Sequence, residues 1–412
     1  MIKLHKRKII RALSKYLKDK ETLVLHGARQ VGKTSVLHYI MENVLKEEKK
    51  KNIFYFDLED FALLELCDSG VENVVSYLKG KGADLSCRVF LFIDEIQYLK
   101  NPTSYIKLFT DRYKDRIKLV VSGSSSFLIK SKFKDSLAGR IIDFELFPLD
   151  FEEFLVFKKQ NYKISLSLSD AINKELRKAY EEFVLFGGYP AVVLEEEVTK
   201  KEMKLKQLIN TYIKKDIRDL ANIREVEKFN SLVQLLASQT GNQVNATELA
   251  NTLRLSLITT EEFLFLLENT YIVKMLRPFH KNIRSELTKM PKVYFEDNGL
   301  ANLLANKTFS VKIDGNLLET SVFSQFRKNI DLSRLNYWRT ANKQEVDFII
   351  DGTVPVEVKT TFLNSYTAHL KVFMEKYGLK KGYVCCLKKP EESRNNGIET
   401  IYPWQVHLLA KT

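Results

Sequence analysis

The segment Gly27-Ala-Arg-Gln-Val-Gly32-Lys33-Thr34 has the spacing G-x-x-x-x-G-K-[ST]. Its chemistry is to wrap backbone N–H groups around a polyphosphate. The Lys33 ammonium would reach the β- and γ-phosphates, and the Thr34 hydroxyl would ligate Mg²⁺. The expected nucleotide-binding residues are Gly27, Ala28, Arg29, Gln30, Val31, Gly32, Lys33, Thr34 and Ser35. The flanks suit the task. Thr22–His26 is an apolar run of strand type, and Ser35–Ile40 reads as a helix whose N-terminus adds partial positive charge. A nucleoside triphosphate, taken as ATP with Mg²⁺, is the expected ligand.

Such a loop needs a second strand ending in carboxylates, and Arg88-Val-Phe-Leu-Phe-Ile-Asp94-Glu95 provides one. Five apolar residues predict a strand buried on both faces, with the acids at its C-terminal end, where ligands bind in a parallel sheet. Asp94 is expected to hold Mg²⁺ through water, and Glu95 to polarise the attacking water as a general base. A further strand, Ile117–Val121, runs into Ser122-Gly-Ser-Ser-Ser126. Ser124 there serves either as a γ-phosphate contact or as part of a helix N-cap. Arg140 stands just ahead of another strand, Ile141–Phe147. It either stabilises charge on a neighbouring subunit's nucleotide or makes a surface salt bridge. The first option predicts a homo-oligomer in the ATP state.

The C-terminal third holds a second set of acids. Leu317, Leu318, Val322, Phe323 and Phe326 mark a helix that carries Glu319. Strands are predicted at Asn336–Thr340, Glu345–Ile350 and Val354–Lys359, the last two joined by a turn at Asp351-Gly352. Alternation along a strand puts Glu357 and Lys359 on one face, and a hairpin in register brings Asp347 beside them. Asp347 and Glu357, with Glu319 completing the shell, would hold Mg²⁺, and Lys359 would orient or activate the water for phosphodiester hydrolysis. The competing explanation is a pair of exposed, salt-bridged strands, on which Glu-x-Lys is common.

Between these regions, Asn245–Arg277 reads as two helices and a strand, with Ile272–Leu276 and Val293–Phe295 as two wing strands. Asn245 and Thr259 are the expected helix caps. This resembles a winged helix, yet Glu261 and Glu262 at the start of the would-be recognition helix repel phosphates. A structural or protein-contacting helix is therefore the stronger expectation. Ile164–Asp170 has linker composition.

Bulk properties bound these readings. The 412 residues are 45% apolar and 28% charged, with net charge +13. That excess favours a polyanion, with DNA the expected partner, although a lysine-rich proteome produces the same excess. The longest unbroken apolar run, Val89–Ile93, cannot cross a bilayer. Met1–Lys20 reads as an amphipathic helix with Leu4, Ile9, Ile10, Leu13 and Leu17 on one face, not as a signal peptide. Cys67, Cys87, Cys385 and Cys386 show no metal-binding spacing. A cytoplasmic protein with no membrane partner is expected.

The phosphate loop, Asp94-Glu95, the polar strand tip and Arg140 together resemble the AAA-type branch of P-loop ATPases. More closely, Gly27–Thr34, Ile-Asp-Glu-Ile-Gln97, Ser-Gly-Ser-Ser-Ser126, Leu-Ala-Gly-Arg140 and Phe-Pro-Leu-Asp-Phe-Glu-Glu-Phe154 look like a widespread prokaryotic group. Its members couple an AAA-like ATPase to a C-terminal region. That resemblance implies a helical lid after the core, with Phe186-Gly-Gly188-Tyr-Pro190 similar to its Gly-x-Pro signature; a plain turn explains those residues equally well. Arg218 is the candidate lid arginine. The Asp, Glu-x-Lys and helical Glu set is similar to the restriction-endonuclease-like superfamily, although Glu-Val-Asp347 departs from its Pro-Asp form and no Gln-x-x-x-Tyr follows.

The expected fold class is α/β. It comprises an AAA-like P-loop parallel sheet over 1–150, a helical lid over 151–240, a winged-helix-like module over 241–304 and a restriction-endonuclease-like domain over 305–412. The expected function is ATP hydrolysis coupled to a nuclease-like, DNA-associated domain. The alternative is an ATP-gated signalling or scaffold protein whose C-terminal fold binds DNA or protein without catalysis.

Overall fold

The computed structural model describes residues 4–123, 137–211, 225–279, 289–306, 309–389, 394–395 and 397–411. It divides into two units, Met1–Phe147 and Pro148–Thr412. Ser124 and Arg218 lie outside the described residues.

In the first unit five strands, β1 (Thr22–His26), β2 (Ile53–Asp57), β3 (Val89–Asp94), β4 (Ile117–Gly123) and β5 (Ile141–Glu145), form one sheet in the order β2-β3-β4-β1-β5. Every pairing is parallel. β1, β3 and β4 are buried along their whole length, which is why they read as unbroken apolar runs. Helices α1 (Lys8–Lys15), α2 (Lys33–Tyr39), α3 (Phe61–Asp68), α4 (Val71–Gly80) and α5 (Pro102–Tyr113) belong to this unit. The core joins Val74, Val75 and Leu78 of α4 and Ile106 and Phe109 of α5 to Leu91, Ile93, Leu119 and Val121 of the sheet. Because all strands run the same way, the loop after β1 and the acids after β3 emerge at one end of the sheet. Of the face expected for α1, Ile10, Leu13 and Leu17 are buried, while Leu4 and Ile9 are half-buried.

The second unit begins with helices. Asp150 caps the Phe151–Phe157 helix through a reciprocal bond pair with Glu153, and Ser169 caps the Asp170–Phe186 helix. The latter helix packs against the Asn298–Asn306 helix very closely: a Cβ on Gly299 would fall 2.2 Å from the Phe186 carbonyl oxygen. The helices Ala246–Leu253 and Leu257–Asn269 are joined through Arg254 in the left-handed region. β6 (Val273–Leu276) and β7 (Lys292–Phe295) then pair antiparallel. Asn245 caps the first helix as expected. The cap of the second is Ser256, three residues before Thr259, whose N–H it accepts at 3.0 Å. Thr259 instead sits inside the first turn, because Leu257 and Ile258 already have helical geometry.

A six-stranded mixed sheet closes the second unit. β8 (Leu335–Arg339), β9 (Glu345–Ile350), β10 (Val354–Thr361), β11 (Gly382–Lys388), β12 (Arg394–Asn395) and β13 (Ile398–Ile401) lie in the order β12-β13-β11-β10-β9-β8. The β9–β10 turn uses Asp351 and Gly352, both at positive φ, as a tight hairpin requires. Outer strand β8 is not left open: Pro278 bridges to Tyr337, which gives its backbone a partner. The Gly315–Asn329 helix packs through Phe323 and Phe326 against Tyr294 of β7 and Phe348 of β9. The Thr367–Tyr377 helix covers Trp338, Val346 and Ile349. No helix among the described residues is long and apolar enough to cross a membrane.

The Gly299 contact gives a stability test. Gly299→Ala must push its helix off the Phe186 carbonyl, costing ~1–3 kcal/mol as overpacking does. Urea denaturation followed by circular dichroism should show a lowered midpoint; an unchanged one would mean that the two helices are not in such close contact.

Candidate functional site

β1 ends at His26, and the phosphate-loop residues turn back into α2. Gly27 is required by close approach, since an added Cβ would meet the Leu146 carbonyl oxygen at 2.1 Å. Gly32, at φ 98°, takes the left-handed step that starts α2. Lys33 is 5% exposed, and its Nζ donates to the carbonyls of Gly27 at 3.1 Å and Ala28 at 2.9 Å. It thus reaches back over its own loop, with no carboxylate among the described residues in direct contact. Burial pulls its pKa down to about 8, against the opposing charges of Glu95 and Asp94.

Asp94, 2% exposed at the end of β3, gathers hydroxyl groups. Thr34 Oγ1 donates to Oδ2 at 2.6 Å, Tyr55 Oη donates to the same oxygen at 3.0 Å, and Ser122 Oγ donates to Oδ1. Burial, then the Asp94 charge, pushes the Tyr55 phenol well above its ordinary pKa, so it remains a donor. Glu95 is in the left-handed region at φ 56° and accepts from Gln97 Nε2. The structure therefore brings together Lys33, Thr34, Asp94 and Glu95 at one end of the sheet. Tyr55 and Ser122 are the residues that sequence reasoning missed. The serine nearest Asp94 among the described residues is the last-but-one residue of β4. Pairing of Asp57 with Asp94 and of Tyr55 with Phe92 shows how β2 delivers the tyrosine, but only the strand order reveals it.

This donor set fits a magnesium–polyphosphate group. Threonine hydroxyl and aspartate lie in contact, as a shared Mg²⁺ shell requires, and a buried lysine stands next to them with no carboxylate partner among the described residues. Arg140 lies elsewhere in the unit, its Nε donating to Asp111 Oδ1 at 2.7 Å, a half-exposed pair.

The second cluster is in the C-terminal sheet. Pairing of Val356 with Phe348 places Glu357 and Asp347 next in line on β10 and β9. Asp347 Oδ2 accepts from the Val358 N–H at 2.7 Å, and Lys359 Nζ lies 2.6 Å from Glu357 Oε1 and 3.5 Å from Asp347 Oδ2. Glu319 comes in from the Gly315–Asn329 helix. The four residues do converge, but around ammonium groups. Lys292 of β7 puts Nζ 2.9 Å from Glu319 Oε1, 2.6 Å from Glu345 Oε1 and 3.7 Å from Asp347 Oδ1. Tyr294 Oη donates to Glu319 at 2.5 Å, and Arg339 pairs with Glu345 at 2.6 Å. Among the described residues no three His, Cys, Asp or Glu side chains are grouped as a metal ion would need. The expected Mg²⁺ shell of Glu319, Asp347 and Glu357 thus does not fit this arrangement, because a lysine already satisfies two of its three members. Lys292, Tyr294 and Glu345 were missed from sequence. The one signal was a lysine in an otherwise apolar strand, sharing the period-2 face of Tyr294.

Burial, then the Asp347 charge, pushes Glu357 up to about 8, with Lys359 opposing. Burial and the Asp347 charge likewise push Glu319 up to about 7, with Lys292 opposing. Both acids therefore hold a proton more readily than a free carboxylate does.

The Gly187–Gly188 turn is held in a different way. The Asp297 carboxylate accepts from Gly188 N at 2.7 Å and Gly299 N at 3.0 Å, and a Cβ on Gly187 would overlap it. Its glycines are thus explained by packing around a buried acid.

Residues 19–155 match the AAA domain family. The N-terminal unit is an AAA-type P-loop domain. Residues 177–310 and 314–406 match two domains of unknown function, DUF8612 and DUF4143. An uncharacterized protein of Methanocaldococcus jannaschii, MJ1544, is 27% identical over 80% of this chain and 72% of its own length. An uncharacterized protein of Haemophilus influenzae is 24% identical over 92% of both. Among solved structures, Aeropyrum pernix Orc1 in complex with DNA aligns over 75% of this chain and 94% of its own at 14% identity and TM-score 0.33. AMPPCP-bound DnaA of Aquifex aeolicus aligns over 63% and 86%, at 16% identity and TM-score 0.29. Scores this low carry no structural argument.

The depressed Lys33 pKa sets a pH dependence for triphosphate binding. Phosphates favour the ammonium, so above pH 8 the free protein must take up a proton to bind. Affinity should be flat below pH 8 and fall by up to ~10-fold per pH unit above it, the limit for one linked proton. A fluorescent ATP analogue would measure this, and Lys33→Arg, charged throughout, should remove the slope. A flat wild-type profile would show that Lys33 is not the linked group.

Proposed function

We propose that the N-terminal unit binds and hydrolyses ATP, and that nucleotide state governs a C-terminal unit of nuclease-like build that associates with DNA. The observation that carries the first part is the Thr34–Asp94 hydrogen bond beside the buried Lys33. Lys33 would neutralise the terminal phosphates, while Thr34 and Asp94 would hold Mg²⁺. When bound, Mg²⁺ supplies positive charge against the phosphate oxygens. Glu95, fixed by its left-handed backbone and by Gln97, accepts a proton from water. Arg140, now paired with Asp111, is offered to a second subunit once that half-exposed pair opens, consistent with a homo-oligomer in the ATP state.

Support for the C-terminal reading is the approach of Asp347, Glu357 and Lys359 on neighbouring strands with Glu319 beside them, together with the net charge of +13. The seating of Lys292 among the acids favours the second reading, in which this unit grips DNA or protein without cutting. No hydrolytic step is assigned to it.

Two experiments test these halves. Lys33→Ala should lose ATP binding, whereas Glu95→Gln should bind ATP and hydrolyse it ~10²–10⁴-fold more slowly, the range for loss of a general base. Normal turnover by Glu95→Gln would remove Glu95 from that role. For the second half, plasmid, single-stranded and branched DNA should be retarded in gels by the wild type yet remain uncut with Mg²⁺ or Mn²⁺. Cleavage that disappears in Asp347→Ala would restore the nuclease, and absence of any retardation would remove DNA as partner.

A further inference from the structure

Lys292 is 1% exposed, and its ammonium lies between carboxylates delivered by two other elements: Glu319 from a helix, and Glu345 and Asp347 from β9. It cannot drift out, because β7 is pinned on both sides. β6 pairs with one edge, and on the other the backbone bonds Gly241 N to Val293 O and Val293 N to Asn242 O hold it at 2.7 and 3.0 Å. The aromatic stack of Tyr294 on Phe323, centroids 4.3 Å apart, fixes its position along the Glu319 helix.

Charge bookkeeping then decides what the cluster can hold. Four carboxylates, Glu319, Glu345, Asp347 and Glu357, face three cations, Lys292, Lys359 and Arg339. One negative charge is left over. Independently, Glu357, 5% exposed, has an oxygen, Oε2, that is buried without a hydrogen-bond partner among the described residues. The cluster therefore still has an unused ligand atom. Take away Lys292, and the uncompensated charge becomes two, the charge of one divalent ion. Hard oxygen ligands of this kind suit Mg²⁺ or Mn²⁺.

We propose that Lys292 is a built-in replacement for a divalent cation: its ammonium fills the position between Glu319 and Asp347, so that the wild-type cluster takes no metal there and removal of this one group creates a metal site. The replacement compensates three buried acids, Glu319, Asp347 and Glu357, and the half-buried Glu345 beside them. Burying them half-compensated would cost several kcal/mol per ion, and the ammonium supplies the missing charge with direct hydrogen bonds. It also makes a substitution on β7, outside the sheet that carries Asp347 and Glu357, the switch between a metal-free and a metal-binding cluster.

The test uses Mn²⁺ alone, on the full chain without nucleotide, so its outcome is independent of whether the N-terminal unit hydrolyses ATP. Free Mn²⁺ is followed by electron paramagnetic resonance for the wild type, Lys292→Met, Asp347→Asn and the double variant Lys292→Met/Asp347→Asn. Lys292→Met should gain one Mn²⁺ per chain, bound at least ~10-fold more tightly than any site in the wild type and lost in the double variant. Mn²⁺ should also raise the melting temperature of Lys292→Met by several degrees, about what ligand-linked stabilisation gives, and leave the wild type unmoved. No gain in Lys292→Met, or a wild-type site abolished by Asp347→Asn, overturns the proposal. Should Lys292→Met fail to fold, Lys292→Gln keeps a donor for Glu319 and is read by the same criteria. If that also fails, the wild type against Asp347→Asn decides: identical titrations uphold the proposal and any difference overturns it.

Discussion

A carboxylate taken out of water must be compensated, and the kind of compensation decides what the place can later hold. Asp94 is surrounded by neutral hydroxyls, those of Thr34, Tyr55 and Ser122. These satisfy its oxygens but not its charge, so a cation remains welcome, and a hydroxyl can rotate from donor to ligand without leaving. The acids of the C-terminal sheet are compensated by ammonium and guanidinium groups, which cancel charge as well as filling lone pairs. Both sites present acids at strand ends or edges, yet in the second an ammonium already stands between the acids, whereas in the first Asp94 is met by hydroxyls.

Sequence made the first site readable because its chemistry is local. A glycine turn between strand and helix fixes Lys33 and Thr34 within one short segment, and the run from Val89 to Ile93 announces where Asp94 emerges. What stayed hidden depends on strand order. Tyr55 reaches Asp94 because β2 lies next to β3, and Ser122 does so because β4 separates β3 from β1. Neither neighbour relation follows from the order of residues along the chain. Expectation fell on Ser124, whose position the described residues do not include, while Ser122 at the tip of β4 meets the acid.

The C-terminal cluster shows the same limit more sharply. Alternation and the Asp351-Gly352 turn were enough to place Asp347, Glu357 and Lys359 together. The residue that changes their meaning comes from β7, outside the six-stranded sheet, with nothing in its flanks to mark a destination. A buried lysine is unusual, but in one sequence it is indistinguishable from an edge lysine that keeps strands from pairing. Its role is visible only through three distances.

The two lysines of that cluster are not equivalent, and the difference assigns control to one of them. Lys359 has 29% of its side chain exposed, so its ammonium can turn into water at small cost while its stem stays in place. The Lys292 side chain is 2% exposed and meets three carboxylates, so it can leave only if β7 itself moves. Loss of Lys359 from the pair would be a rotamer change, rapid and local. Loss of Lys292 would require breaking the Gly241–Val293 and Val293–Asn242 backbone bonds and unstacking Tyr294 from Phe323. The occupancy of the cluster is therefore tied to the seating of a strand, not to side-chain motion, which makes it stable on the timescale of domain movements rather than of rotamers.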